Sequence, residues 1–357
     1  MDATSFKPLL HKLVDDPAEL APSDARAALA HVLSGAADPA QTGALLTALH
    51  IHRGTIDSRP DILAAFVEAL MGHARTADVE AAEEYIVDVC GTGGDGHGTF
   101  NVSTAAALVA AGAGARVIKH GSSASTSPSG SSDLLRALGC ALPASAPSRS
   151  ALFTAIPFHF AHAPHFHPSL ERLLRTSALL GVRTILNDVG PLLNPSRPRG
   201  ILLGVRAASL GRIFAEALRA GGVERAIVAC GDEGLDEISC AGPTRVWELR
   251  DGNVAERVVR PQEDFGVPVH ALDRVRGGTP AQNARTLERL LKGPQEDEDE
   301  AVRDFVLMNA AAVLVTAGRV RDLPDGVRLA RQSINTRNAW TVLERFRDEA
   351  AVEVRGG

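Results

Sequence analysis

Apolar positions along this chain follow two different periods. Up to about residue 75 they recur at helical spacing, as in ALLTALHIH (44–52) and DILAAFVEALM (61–71). Asp38-Pro39-Ala40-Gln41 supplies an N-cap, a first-turn proline and a capping-box partner just ahead of the first of these runs. From residue 85 short β-rich runs alternate with Ala/Leu-rich stretches. Strands are predicted at 85–89, 116–119, 183–186, 200–205 and 225–230, and helices at 104–111 and 207–220. Helical texture returns after Thr279, over 282–291, 301–318 and 325–348. The polar segment TADVEAAEE (76–84) reads as a hinge, and PQEDEDE (294–300) as a solvated loop. The pattern implies a small all-helical domain over 1–75. A larger α/β domain over 76–357, with a parallel or mixed central sheet, follows it.

Composition narrows the class. The 357 residues are 45% apolar, enough to fill a core, so wholesale disorder is excluded. A net charge of −6 and only 4% aromatics argue against a nucleic-acid partner, which needs a basic face or stacking platforms. No apolar run is long enough to span a bilayer, so no membrane partner is expected. The N-terminus lacks a signal-peptide pattern. Cys90, Cys140, Cys230 and Cys240 are scattered without a CxxC, which fits free thiols in a reducing cytoplasm.

Candidate chemistry begins where the first strand ends. Val87-Asp88-Val89-Cys90 runs into Gly91-Thr92-Gly93-Gly94-Asp95-Gly96, and Thr99-Phe100-Asn101-Val102-Ser103-Thr104 opens an alanine-rich helix. Glycines let the backbone approach a ligand, and successive N–H groups at a helix N-terminus attract an anion. Asn101, Ser103 and Thr104 add polar groups able to bind phosphate oxygens or a metal. Neither nucleotide fingerprint fits: no lysine follows as in a P-loop, and Asp95 sits awkwardly inside GxGxxG. The second strand ends in Lys119-His120-Gly121, followed by the hydroxyl-rich SSASTSPSGSSD (122–133), suited to a phosphate at a sheet's C-terminal edge. Asp232-Glu233-Gly234-Leu235-Asp236-Glu237 after RAIVAC offers carboxylates to Mg²⁺, which takes only one or two from a protein. Four histidines, His159, His162, His165 and His167, lie within nine residues; the intervening prolines suggest an ordered pocket wall more than a metal site.

Taken together, VDVCGTGGDGHGTFNVSTAAA, VIKHGSSASTSPSGSSDLLRALG, GVRTILNDVGPLLNP and CGDEGLDEISCAGPTRVWEL resemble the anthranilate phosphoribosyltransferase family, over nearly the whole chain. The resemblance implies a nucleoside phosphorylase-like architecture. In it the helical domain is joined in space by helices near 168–182 and mediates a homodimer. It also implies a transfer of the phosphoribosyl group of phosphoribosyl pyrophosphate (PRPP) to the amine of anthranilate. By resemblance Gly91, Thr92, Gly94, Asp95, Thr99, Asn101, Ser103, Thr104, Lys119, Thr126, Ser127 and Ser131 would hold PRPP. Ser103, Asp236 and Glu237 would hold Mg²⁺. Lys119, Asp236 and Glu237 would serve to neutralise developing charge, with no nucleophilic side chain required. Gly91, His120, Ser122, His167 and Ser177 would face the acceptor.

The chain departs from the family pattern at the acceptor. Ser122-Ser123 replaces Asn-Arg after KHG, Ser177 stands where other members have a carboxylate-binding arginine, and Leu170 replaces a tyrosine. Arg175, two residues from Ser177, lies about 200° around a helix from it. These changes leave room for a same-fold transferase using another aromatic amine, or for a non-catalytic homologue.

Overall fold

The computed structural model describes residues 6–75, 84–124, 128–142, 156–293 and 300–356. Thr126, Ser127 and almost all of the stretches 76–84 and 294–300 lie outside them. Five helices come first: α1 (Phe6–Asp15), α2 (Pro22–Leu33), α3 (Pro39–Ile51), α4 (Arg53–Ile56) and α5 (Pro60–Gly72). The capping box at Asp38 forms: its Oδ1 accepts from Ala40 N at 2.8 Å, and Gln41 Oε1 accepts from Asp38 N at 3.0 Å.

A seven-stranded sheet follows in the order β3-β2-β1-β4-β5-β6-β7. The strands β1 (Ile86–Gly91), β2 (Arg116–Gly121), β3 (Phe158–His162), β4 (Gly200–Gly204) and β5 (Arg225–Gly231) are parallel. The antiparallel strands β6 (Thr244–Arg250) and β7 (Asn253–Val259) make the sheet mixed. Alternation decides which face each residue serves. Leu202 joins the core under α6 (Val102–Gly112) and α13 (Glu300–Thr316), whereas Ile201 and Leu203 join the core shared with the helical bundle and α10 (Ala208–Ala220). α6 and α13 are apolar nearly all round because each is covered on two sides, by the sheet and by further helices.

Three expectations change. The run at 183–186 is not a strand but a 3₁₀ turn, Ile185–Asn187. Thr184 Oγ1 accepts from Leu186 N at 3.2 Å and Asn187 Oδ1 accepts from Thr184 N at 2.8 Å, so side chains take the backbone groups a ladder would need. The helix predicted over 325–348 is two, α14 (Leu323–Asn335) and α15 (Asn338–Gly356), broken at Arg337 with φ 60°. The break lets α15 cross α6 so closely that a Cβ on Gly112 would lie 2.5 Å from Ala339 N. Strands β3, β6 and β7 come from segments not read as strands.

His159 of β3 is buried, with its ring edge-on to Phe346 at 6.5 Å. Burial and the neighbouring Arg116 push its pKa down to about 4. The unfolded chain therefore binds a proton here that the folded chain refuses, and this histidine removes stability as pH falls from 6.5 towards 4. Urea unfolding of wild type and His159→Phe at pH 7 and pH 5 is expected to show wild type losing about 2 kcal/mol more than the variant between the two. Parallel pH profiles would refute the assignment.

Candidate active site

The C-terminal ends of the parallel strands converge on one cleft, because strand direction carries every following loop to the same edge. The loop after β1 rises from Gly91. Thr92 N donates to Gly204 O at 2.9 Å, and Thr92 Oγ1 accepts from Arg206 N at 3.3 Å, tying it to the end of β4. Asp236 Oδ2 then accepts from Gly93 N at 2.6 Å, 143 residues away in sequence. His97 Nε2 meets Glu233 O at 3.0 Å, a second tie between the glycine loop and the acid loop. Gly91 and Gly204 are neighbours across β1 and β4, and a methyl on either would overlap Asp236. The absence of two side chains is thus what lets the acid loop lie on the strand ends.

Electrostatics makes this edge unusual. Asp236 is buried, and burial together with nearby Asp95 pushes its pKa up to about 7. Burial also raises Glu237 well above the carboxylate range, with Asp236 adding repulsion and Lys119 opposing it. Lys119 is buried, donating from Nζ to Val89 O at 2.6 Å and to Ser103 Oγ at 3.2 Å. Acids and one cation thus face each other across the amides of the β1–α6 loop.

The remaining donor residues gather here. Asn101 precedes α6; its Nδ2 donates to Ser129 O at 2.7 Å and its Oδ1 accepts from Asn283 Nδ2 at 2.8 Å. Thr99 pairs with Arg276, and the Thr104 hydroxyl is buried without a partner. Ser131 opens α7 (Ser131–Ala137), and its Oγ donates to Ser122 O at 3.2 Å. Asp133 Oδ2 gathers Ala124 N at 2.8 Å and Gly130 N at 3.0 Å, folding the serine-rich loop back on the helix start.

The acceptor candidates divide. His120 and His167 meet edge to face, centroids 5.3 Å apart. His120 Nδ1 lies 3.3 Å from Gly190 O and His167 Nε2 lies 2.7 Å from Leu193 O. Burial, with His167 adding to it, pushes the His120 pKa down to about 3, so the ring is neutral, and its Nε2 is buried without a partner. The Ser122 hydroxyl donates to Ser123 O at 3.2 Å. Ser177 is not brought to these rings. It lies buried in α9 (Pro168–Leu180), donating from Oγ to Val182 O at 2.6 Å. Arg172 Nη2 reaches Leu33 O at 3.2 Å, and Arg175 is exposed on the surface of α9 near Glu171. The other histidines of the cluster scatter: His162 and His165 face each other at 4.6 Å, while His159 packs on Phe346.

Sequence reasoning missed several supporting residues. Asp88 is fully buried and accepts from Val89 N at 2.7 Å, His120 N at 3.2 Å and Asn194 Nδ2 at 2.8 Å, fixing the His120 backbone. Arg183 donates to Asp188 Oδ1 at 2.6 Å and to Gly93 O at 3.4 Å, and Arg206 donates to Asp188 Oδ2 at 2.9 Å. A charged residue inside the apolar run VDV was the one available signal for Asp88; nothing local marks the arginines.

Comparison with known proteins agrees with this geometry. Residues 7–74 match the helical bundle domain of a glycosyl transferase family, and residues 83–340 match its a/b domain. The chain is 42% identical to the anthranilate phosphoribosyltransferase of Schizosaccharomyces pombe, covering 96% of this chain and 97% of that one. It is 42% identical to the Rubrobacter xylanophilus enzyme of the same name, over 92% of each. The Saccharomyces cerevisiae enzyme in complex with PRPP and Mg superposes with a TM-score of 0.88 at 31% identity, covering 98% of both chains. The same yeast enzyme with 4-fluoroanthranilate gives 0.87 at 29% identity, over 98% of this chain and 99% of that one. With both domains matched and relatives of this identity along nearly its whole length, the chain belongs to the anthranilate phosphoribosyltransferase family.

Proposed function

We propose that this chain transfers the phosphoribosyl group of PRPP to the amine of anthranilate, releasing pyrophosphate and forming N-(5-phosphoribosyl)anthranilate for tryptophan biosynthesis. The observation that carries the reading is the hydrogen bond from Gly93 N to Asp236, which seats a carboxylate on an amide-rich loop at the mouth of a parallel sheet. The names of the relatives and the ligands of the yeast complexes support it.

The donor set suits Mg²⁺. Ser103, Asp236 and Glu237 offer hard oxygens, and two acids raised by burial and, secondarily, by repulsion from neighbouring carboxylates call for a cation. Among the described residues no three His, Cys, Asp or Glu groups converge on a metal position. Water and diphosphate oxygens would complete the shell, as Mg²⁺ prefers. When bound, Mg²⁺ neutralises charge growing on the leaving diphosphate. The protein's own residues do the rest. Amides of the loop Gly91–Asp95, the α6 start at Asn101–Thr104, and Lys119, Thr126, Ser127 and Ser131 hold PRPP. Lys119 stabilises the departing anion from a site where water cannot screen it. With Nδ1 donating to Gly190 O, neutral His120 keeps a buried, unpartnered Nε2, which we assign to accept from the amine and orient its lone pair at C1. His167 and Gly91 wall the ring. Relative movement of the helical bundle, with α9, against the rest of the α/β domain would close the site.

The acceptor's carboxylate needs a cation, and Ser177 cannot supply one. Arg183 sits against the glycine loop, with its Nε buried and unpartnered, and we assign the carboxylate to it. Arg183→Ala is expected to raise the anthranilate KM about 10- to 100-fold, as loss of a charge-assisted hydrogen bond does, with the PRPP KM nearly unchanged. A rise confined to the PRPP KM would move Arg183 to the diphosphate instead.

A homodimer through the helical domain is supported by α3 and α9, which lie side by side and leave Ile51 and Leu179 69% and 84% exposed. Leu179→Asp is expected to sediment as a monomer where wild type sediments as a dimer; equal sedimentation would refute this face. The four buried free cysteines support a reducing cytoplasm. The activity itself is tested by Mg²⁺- and PRPP-dependent loss of anthranilate fluorescence. No loss at saturating PRPP removes anthranilate as acceptor, and pyrophosphate release with only another arylamine would replace it.

A further inference from the structure

A second cavity, of about 630 Å³, lies away from the strand ends, between α5, the segment 191–199 and the C-terminal end of α10. That volume is in the range of small-molecule sites. Its lining is apolar and polar in nearly equal parts; the apolar part comes from Val67 and Met71 of α5, Leu192, Ile201 of β4 and Leu218 of α10. Three charged side chains reach it. Glu68 is held by Arg26 at 3.0 Å, and Arg199 is held by Glu224 at 2.6 Å and stacks on Tyr85 at 4.8 Å. Arg197 is different. It is exposed, makes no ion pair or side-chain hydrogen bond among the described residues, and its backbone adopts φ 48°, a conformation a residue with a Cβ rarely takes. The turn is held in that shape by Arg197 N donating to Asn194 O at 3.1 Å and by Ser196 donating from N and Oγ to Asn194 Oδ1 at 2.9 and 2.7 Å. A cavity with a patch of apolar side chains and one unneutralised guanidinium suits an apolar body bearing a single negative charge.

One wall of this chamber is shared with the cleft. Pro191, Leu192 and Asn194 line the cavity. The residues between and beside them hold the two imidazoles: Gly190 O meets His120, and Leu193 O meets His167. Asn194 also donates to Asp88, which anchors the His120 amide. A body pressing on Pro191 and Leu192 therefore pushes on the carbonyls that set both rings.

We propose that this cavity binds a small aromatic or aliphatic carboxylate, and that its occupancy changes acceptor binding through the segment Gly190–Asn194. The binding part stands without any assignment of activity; the kinetic part rests on the transfer proposed above. The probe is 2-naphthoate, which has an apolar bicycle, one carboxylate and no amine to be ribosylated. Its fluorescence is titrated with the full chain, without anthranilate or PRPP, in wild type and in Arg183→Ala, whose acceptor pocket lacks its carboxylate partner. Saturable binding of one probe per chain is expected, weakened about tenfold by Arg197→Ala, as loss of one charged hydrogen bond does, and abolished by Val67→Trp, which fills the chamber. Arg197 is on the surface, so its variant reports even if Val67→Trp fails to fold. In turnover, 2-naphthoate is expected to change the anthranilate KM in wild type and not in Arg197→Ala. Absence of saturable binding, loss of binding in Arg183→Ala, which would place the probe in the acceptor pocket, or equal binding by Arg197→Ala overturns the site. Binding that leaves the anthranilate KM unmoved overturns the link to the acceptor pocket.

Discussion

Asp236→Asn is expected to lower kcat by about 10²–10³-fold while leaving the melting temperature unchanged or higher. The size is that of removing one preorganised charge from a water-poor site. The sign of the stability change follows from the surroundings. The carboxyl is buried beside Asp95 and Glu237, and its pKa is raised to about 7, so its ionised form opposes folding near neutral pH. Asparagine keeps the shape, and its Oδ1 can still accept from Gly93 N, the contact now made at 2.6 Å. The loop therefore stays seated while the charge that would meet Mg²⁺ is gone. PRPP affinity should fall when Mg²⁺ is present and change little when it is chelated. A kcat within tenfold of wild type would remove Asp236 from the metal site.

Gly204→Ala should be nearly as damaging, for a steric reason. Gly204 lies in β4 beside Gly91, and a methyl there would overlap the Asp236 backbone carbonyl, which no rotamer change can move aside. The φ of Gly204 is not in the left-handed region, so the effect comes from crowding alone. Overpacking of this kind destabilises by about 1–3 kcal/mol, and a displacement near 1 Å of catalytic groups lowers the rate about 10²-fold. Gly200, at the other end of the strand, is the control. A Cβ there would lie 2.9 Å from both Thr316 O and Val87 Cγ1, far from the cleft. Gly200→Ala should lower the melting temperature comparably and spare kcat. If both variants retain kcat, the contact of Gly204 with Asp236 has no part in catalysis.

The helical half was legible because its signals are local. Prolines mark the starts of α3 and α5, a capping box also marks α3, and their apolar residues repeat at the helical period. The glycine loop was legible for the same reason, as a strand, a run of glycines and a helix start follow one another directly. β3 hid because FHFAH alternates histidine with apolar residues and ends in a polar cluster, although every one of its residues is buried. The β6–β7 hairpin carried an unread signal, Asp251-Gly252 between alternating runs. Both residues adopt positive φ, 51° and 74°, as a tight hairpin turn requires. The strand expected at 183–186 failed because Thr and Asn side chains competed for its backbone.

The acceptor pocket is where sequence spacing misled. Ser177 stands at the sequence position of the family's carboxylate-binding arginine, yet its hydroxyl is spent inside the turn that ends α9. The cation seated against the glycine loop is Arg183, paired with an aspartate that a second arginine, Arg206, also holds. The amino-acid order by itself determined the elements, the amide loop and the kinds of group at the strand ends, because periodicity, capping and glycine freedom act between residues a few positions apart. Only the tertiary structure decided which of those groups meet. A buried polar side chain turns to whichever partner shares its low-dielectric space, and for Gly93 that partner stands 143 residues along the chain.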